Sequence, residues 1–431
     1  MLRAFGSAFR TPDLRNKILF TLGLLALYRL GAVIPIPGVD YTSIQKCVDL
    51  VQGNSLYGLI NLFSGGALLH LSVFALGIMP YITASIIIQL LVVVIPRLDA
   101  LKQEGQSGQA KLTQYTRYLT IALAILQSTT ILTLARTPGR LFQGCNEELI
   151  PNQSVPLIIV MIITLTAGTG MIMWFGELIT DRGIGNGMSL LIFTSIIATM
   201  PGQFVGVWQS QGSLVMAGVV VVGLVVIAAV VYVEQAQRRI PVQYAKRMVG
   251  SKMYGGASTY IPLKVNMAGV IPVIFASSML YIPQLIVTLS GSQSEWAQWI
   301  SRNLSNGTEP LYLLMYFLLI VFFAYFYVAI TFNPVEVADN MKKYGGFIPG
   351  IRAGRPTAEY LDYVLTRLTF PGSVYLAVVA IIPFVAFGGL GLGQSFLFGG
   401  TSLLIMVGVG LDTVKQVESQ LQQRNYEGFL K

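Results

Sequence analysis

The most regular feature of the chain is a succession of unbroken apolar stretches separated by short polar ones, at 18–34, 71–95, 119–134, 155–175, 188–200, 214–233, 265–289, 311–330, 374–387 and 396–411. None shows the two-residue alternation of a membrane barrel strand, so each predicts a helix. A bilayer core about 30 Å thick takes about 20 helical residues. The fourth, sixth and eighth stretches fit that length, while the fifth, ninth and tenth need flanking residues to complete a span. Composition agrees, with 54% hydrophobic and only 11% charged residues in a chain of 431. Soluble domains are about one quarter charged, so there is too little polar surface here for a water-soluble fold, and most soluble enzymes are excluded. The basic amphipathic start, residues 2–17, leads into the first stretch with no small-residue cleavage site after it, so no cleavable signal is expected.

Ten spans put both termini on one side, and charge chooses the side. Of 28 Lys and Arg, only Arg29, Lys46, Arg136, Arg140 and Arg302 fall on the face opposite the termini. That bias places both ends and the large basic loops in the cytoplasm.

Segment 55–95 is too long for one span, since 41 helical residues reach about 60 Å. Ser64, Gly65 and Gly66 offer a break, so 55–63 reads as a short helix that either dips part-way into the membrane and returns or lies on its surface. A re-entrant piece survives at membrane depth only when buried in protein or lining a cavity. A short repeat points to internal duplication: GIMPYITAS at 77–85 and GVIPVIFAS at 269–277 share five of nine residues. They open the second and seventh spans, five helices apart, and an odd separation inverts one copy relative to the other. The expected fold is therefore all-α and polytopic, with ten transmembrane helices in two inverted halves, 1–210 and 211–431. Ile82 and Ile274 become equivalent positions on one pseudo-two-fold axis.

Ionisable groups are scarce within the spans; Arg29, Glu177 and Asp412 lie near span ends. Proton- and ion-coupled transporters keep such groups at mid-membrane, so a pathway here would be lined by Ile, Met, Ser and Thr. An apolar constriction excludes water and ions by dewetting and still yields to a large flexible solute. Gly183, Gly185 and Gly187 in DRGIGNG lie between membrane helices and read as a tight reversal, not a phosphate loop. The single His70 has no second metal ligand near it in sequence, and neither a metal site nor a cofactor is expected. Cys47 and Cys145 both fall on the outer side, where a disulfide can form. Loops 234–264 and 331–370 are longer than orientation requires, and their basic residues would attract a polyanion or an acidic protein.

Six runs, GIMPYITASIIIQLL, DRGIGNGMSLLIF, RRIPVQYAKR, PLKVNMAGVIPVIFASS, FNPVEVADNMKKYGGFIPGIR and GGTSLLIMVGVGLD, stand in an order that resembles the SecY family, the channel subunits of the bacterial Sec protein translocase. The resemblance implies a non-enzymatic channel in the bacterial plasma membrane that passes unfolded secretory chains and releases apolar segments into lipid. It places a pore ring at Ile82, Ile86, Met188, Ile192, Ile274 and Ile405. It also implies a plug over 55–69, including Leu56, Tyr57, Leu59, Ile60, Leu62 and Phe63. Its lateral gate would lie between helices 2 and 3 and helices 7 and 8, with Thr83, Ser85, Gln89, Ser277 and Ser278 along it. Docking of a motor or ribosome would fall to Arg238, Arg239, Lys246, Arg247 and Arg352. Met188 departs from the more usual Ile, and Ala353 from a usual Pro.

The partners so implied are SecE and SecG small subunits, the SecA motor ATPase, the ribosome, signal sequences, unfolded polypeptides and anionic lipids. A secondary transporter of a small apolar solute is the alternative, since such proteins also use inverted repeats and broken helices.

Overall fold

The structure, a computed structural model, describes residues 11–51, 64–136, 147–244, 247–249, 252–254, 258–290, 294–304, 309–388 and 400–427. Among the described residues, each of the ten apolar stretches overlaps a helix, the fifth and sixth sharing one. In order these are α1 (Pro12–Gly31), an outer helix α2 (Tyr41–Val51), α3 (Met79–Val94), α4 (Pro96–Gln103), α5 (Gln106–Ala135), α6 (Val155–Arg182) and α7 (Gly187–Gln235). After a strand-rich segment come α8 (Ile271–Ser290), α9 (Glu295–Leu304), α10 (Pro310–Thr331), α11 (Pro334–Lys343), α12 (Arg355–Gly388) and α13 (Gly400–Glu427). By length and composition five segments can cross a membrane: Gln106–Ala135, Val155–Arg182, Gly212–Gln235, Pro310–Lys343 and Arg355–Ile382. The pair α3 and α4, bent by 100°, makes a sixth. Large apolar side chains such as Ile163, Leu224, Val225 and Phe322 remain exposed on these helices, as a lipid-facing surface requires.

Four boundaries differ from the sequence pattern, each for a local reason. The second apolar run is not helical before Met79: residues 71–78 form turns, Ser72 bridges to Pro35, and Gly77 takes φ +55°. The seventh likewise becomes helical only at Ile271, after Gly269 at φ +61°. The fifth and sixth runs share one long helix, α7, broken at Gly212 where φ is +83°. The ninth starts early, at Arg355, inside the segment that charge alone marks as loop.

The two basic loops fold together. Strands β1 (Gln237–Tyr244), β2 (Arg247–Val249), β3 (Lys252–Tyr254) and β4 (Ser258–Lys264) follow α7, and β5 (Gly346–Phe347) follows α11. The alternation in QRRIPVQY buries Ile240 and Val242 on one face and leaves the arginines outside. β1 pairs antiparallel with β4 along its length, and its other edge takes β5 only at Gln243 and Tyr244. That leaves Pro241 on an open edge, where its missing N–H costs no ladder bond. Ile240, Val242 and Leu263 pack with Met341, Ile348, Leu361, Val364 and Leu365, so sheet, α11 and the start of α12 form one body. The small sheet is an addition to an otherwise helical fold.

Extensive helix packing stays within each half of the chain: α3 on α5, α5 on α6, α6 on α7, and separately α8 on α10, α10 on α12, α12 on α13. Among the described residues, α7, which runs across the boundary between the halves, packs along α13, and no comparable packing joins α3 to α8.

The DRGIGNG reversal is as expected, with Gly185 at φ +85° and the Asn186 side chain accepting from the amides of Met188 and Ser189 to start α7. Gly187 lies against the Gly176 carbonyl so closely that a Cβ would overlap it. Gly187→Ala is therefore expected to destabilise the protein by about 1–3 kcal/mol, read as a lower melting temperature of the detergent-purified chain.

Candidate functional site

The proposed ring residues start on four helices from both halves. Ile192, Ile274 and Ile405 are buried members of one apolar cluster with Ala67, Phe74, Ile172, Leu191 and Val409, and Ile82 and Met188 pack against it. Ile86, one turn beyond Ile82 on α3, packs instead against the neighbouring cluster built by α7, α8, α10, α12 and α13. The structure thus gathers five of the six positions, and the sixth also reaches across to the second half. The Met188 thioether lies over Gly176, where no side chain opposes it.

Why these residues meet is visible in local geometry. Gly77 and Gly269 both adopt left-handed φ, +55° and +61°, and Pro80 and Pro272 both follow in the first helical turn. Ile82 and Ile274 then stand at the same place, their amides bonding to Ile78 and Val270. Ala84 and Ala276 are both fully buried. A second repeat pairs the other two buried positions. Gly187-Met188-Ser189-Leu190-Leu191-Ile192 and Gly400-Thr401-Ser402-Leu403-Leu404-Ile405 share five of six residues, and each Gly opens its helix, α7 and α13. These are again five spans apart.

The plug residues Leu56, Tyr57, Leu59, Ile60, Leu62 and Phe63 lie outside the described residues. The described end of that stretch begins at Ser64, and there Gly65 and Gly66 adopt φ +65° and +91°. The Arg29 guanidinium donates to the Gly65 carbonyl at 2.7 Å, and the Tyr28 and Ser195 hydroxyls pair at 2.7 Å beside it. The three charges that the sequence places near span ends, Arg29, Glu177 and Asp412, each have a partner. Arg29 holds this turn, Arg117 grips Glu177 in a fork at 2.8 and 2.7 Å, and Lys264 meets Asp412 at 3.4 Å.

Of the gate residues, Ser85 and Gln89 line a cleft of about 340 Å³ with Tyr81, Lys102, Tyr327 and Thr331, between α3, α5 and α10. Lys102 crosses the cleft and donates to the Ile330 carbonyl at 3.4 Å, at the negative end of α10. Thr83 and Ser278 donate to their own helices, at Met79 and Ile274. Ser277 is buried in a chain of hydroxyls, 3.2 Å from Tyr316, which is 2.9 Å from Thr401. That network, linking α8, α10 and α13, was missed in the sequence; scattered single hydroxyls give no periodic signal.

Arg238 and Arg239 are exposed on β1, with the Arg239 guanidinium over the Tyr260 ring at 4.8 Å. Lys246 lies outside the described residues, and Arg247 opens β2. Arg352 is exposed on a turn framed by Gly350 and Gly354, at φ +84° and +103°. Ala353 occupies that turn without a positive φ. Cys145 is outside the described residues; Cys47 is buried against Leu149 and Ile150. Its helix α2 is set by Asp40, whose carboxyl is held below the usual range by hydroxyls of Thr42 and Ser43.

This is the architecture of a polytopic helical membrane protein in which residues of α3, α7, α8 and α13 share one apolar cluster. The SecY family model matches residues 72–414, and the chain belongs to the SecY family. It is 65% identical to the protein translocase subunit SecY of Streptomyces coelicolor and 60% identical to that of Mycobacterium tuberculosis, over the whole length of each chain. Its fold is similar to a solved structure described as a protein conducting channel, with TM-score 0.64, 19% identity, and coverage of 94% of this chain and 91% of that one. Sec61 in a canine ribosome-channel complex is similar too, with TM-score 0.59, 18% identity and the same coverages.

Proposed function

We propose that the chain is the protein-conducting channel of a Sec translocase, moving unfolded secretory polypeptides across the bacterial plasma membrane and releasing apolar segments sideways into lipid. The observation that carries this reading is the convergence of Ile82, Met188, Ile192, Ile274 and Ile405 from both halves into one apolar cluster. Such a seal blocks water and ions yet parts for a flexible chain. Family membership supports the channel over the solute transporter. The ten helical stretches cross the membrane ten times with both termini cytoplasmic, in two inverted halves, 1–210 and 211–431. Stretch 55–69 is the plug, hinged at Gly65. Light packing between α3 and α8, and the cleft lined by Ser85 and Gln89, suit a lateral gate.

No catalytic step belongs to the chain, so energy comes from a partner or the membrane potential. The joined sheet, with Arg238, Arg239, Lys246, Arg247 and Arg352, is the dock for the SecA motor or the ribosome, while SecE and SecG complete the channel. Anionic lipids suit the basic cytoplasmic face. The test is reconstitution with small subunits and motor in vesicles, followed by ATP-dependent entry of an unfolded secretory protein. Protected substrate is expected; none, with an active motor, contradicts the proposal.

Cys47 pairs with Cys145. Support comes from the position of Cys47 against residues that closely follow Cys145, with no free cysteine among the described residues. A mobility difference between reduced and non-reduced protein, lost in Cys47→Ser, is expected; two titratable thiols in the isolated protein would contradict it.

A further inference from the structure

Glu234 is a carboxylate in a costly place. It stands at the C-terminal end of α7, where the last helical carbonyls repel negative charge, and it is only 9% exposed. An apolar residue would be cheaper there if the position served packing alone. Its Oε1 accepts a hydrogen bond from Asn266 Nδ2 at 2.6 Å, and Asn266 is itself buried. The same Nδ2 donates to the Gly269 carbonyl at 3.1 Å.

Those two residues mark where the chain leaves α7 for the basic sheet and where it returns from it. Between them, Val265 N donates to Ala236 O at 3.1 Å, the ladder closes with Gln237 opposite Lys264, and Lys264 reaches Asp412 on α13. Beyond Asn266 the chain turns at Gly269, φ +61°, and enters α8, with Ile274 in the apolar cluster one turn later. One buried side chain therefore binds both the end of α7 and the turn that aims the ring residue of α8. Above it, the sheet and α11 form one packed body, so a push on the sheet arrives at this bond.

We infer that the Glu234–Asn266 bond is the linkage through which movement of the basic sheet reaches α8 and the apolar seal. Both are positioning residues, and the inference rests on the proposed docking role of the sheet. A bond that merely held the fold together would leave transport per ATP untouched in a protein that still folds; a linkage would not.

The test uses the full channel with its small subunits and motor ATPase in vesicles. Two quantities are read: the motor concentration giving half-maximal stimulation of ATP hydrolysis, and precursor transported per ATP. Asn266→Ala and Glu234→Ala are expected to leave the first within about two-fold while lowering the second about five- to ten-fold. Glu234→Gln keeps an acceptor for Asn266 and is expected to retain most of the parent's transport. Should the alanine variants fail to fold, Asn266→Asp removes the donor at constant size, and adding Glu234→Gln returns a donor; loss and then recovery of transport per ATP is expected. Unchanged transport per ATP in the variants lacking the bond, or a Glu234→Gln defect equal to that of Glu234→Ala, overturns the linkage. A transport loss matched by weaker motor binding also overturns it, assigning the bond to the dock. A parent that hydrolyses ATP and transports nothing is a different failure, which removes the channel reading and the linkage with it.

Discussion

Ile405→Asn and Ile82→Asn channels are expected to export a precursor with a defective signal sequence about 10- to 100-fold faster than the parent. Ile405 is 1% exposed inside the cluster that joins the halves, and Ile82 packs on its edge. An amide left there without a partner costs about 1–3 kcal/mol in the closed state, and it is hydrated once the seal parts. At about 1.4 kcal/mol per factor of ten, that cost moves the closed-to-open ratio by one to two decades. A signal sequence supplies the same free energy by binding the open form better, so a weakened seal needs a poorer signal. The effect should be larger for Ile405, which is more completely buried. Export of the defective precursor, measured beside that of a normal one, checks this. Variants that demand a stronger signal than the parent would contradict the ring.

Arg352→Glu is expected to lower motor-driven transport at least about ten-fold while changing stability by no more than about 0.5 kcal/mol. The side chain is exposed and makes no ion pair among the described residues. What holds the turn does not involve the Arg352 side chain: Gly350, Gly354 and the bond from the Thr357 hydroxyl to the Arg352 carbonyl at 2.9 Å. Reversing the charge therefore alters what the turn presents and not the turn itself. Transport and motor affinity measured together, with the melting temperature as control, check it. Normal transport would remove Arg352 from the dock.

Much of this fold is legible as pattern. Apolar length marks all ten helical stretches, and the Gly-x-x-Pro repeat alone places Ile82 and Ile274 in equivalent turns. Hydropathy alone does not reveal that residues 71–78 and 265–270 are turns, because turns packed in protein need few polar side chains. The left-handed Gly77 and Gly269, each ahead of a Pro, are the better guide to where those helices start. Charge identifies the two basic loops but not that they share a sheet, since β5 is two residues long and its partner strand lies about a hundred residues earlier. Family resemblance singles out Ile192 and Ile405, and the repeated Ser-Leu-Leu-Ile pairs them independently. Contacts such as Glu234 with Asn266, 32 residues apart, follow from packing of helix ends and leave no periodic trace.

The most direct test of the central claim is to arrest a secretory chain carrying one cysteine midway through reconstituted channels and oxidise it against single channel cysteines. Replacing Ile82, Ile192, Ile274 or Ile405 by Cys is expected to give a disulfide to the arrested chain. Leu224→Cys and Val225→Cys, on the exposed face of α7, are expected to give none. Cross-links at the exposed face, with none at the four isoleucines, would contradict passage through the apolar seal.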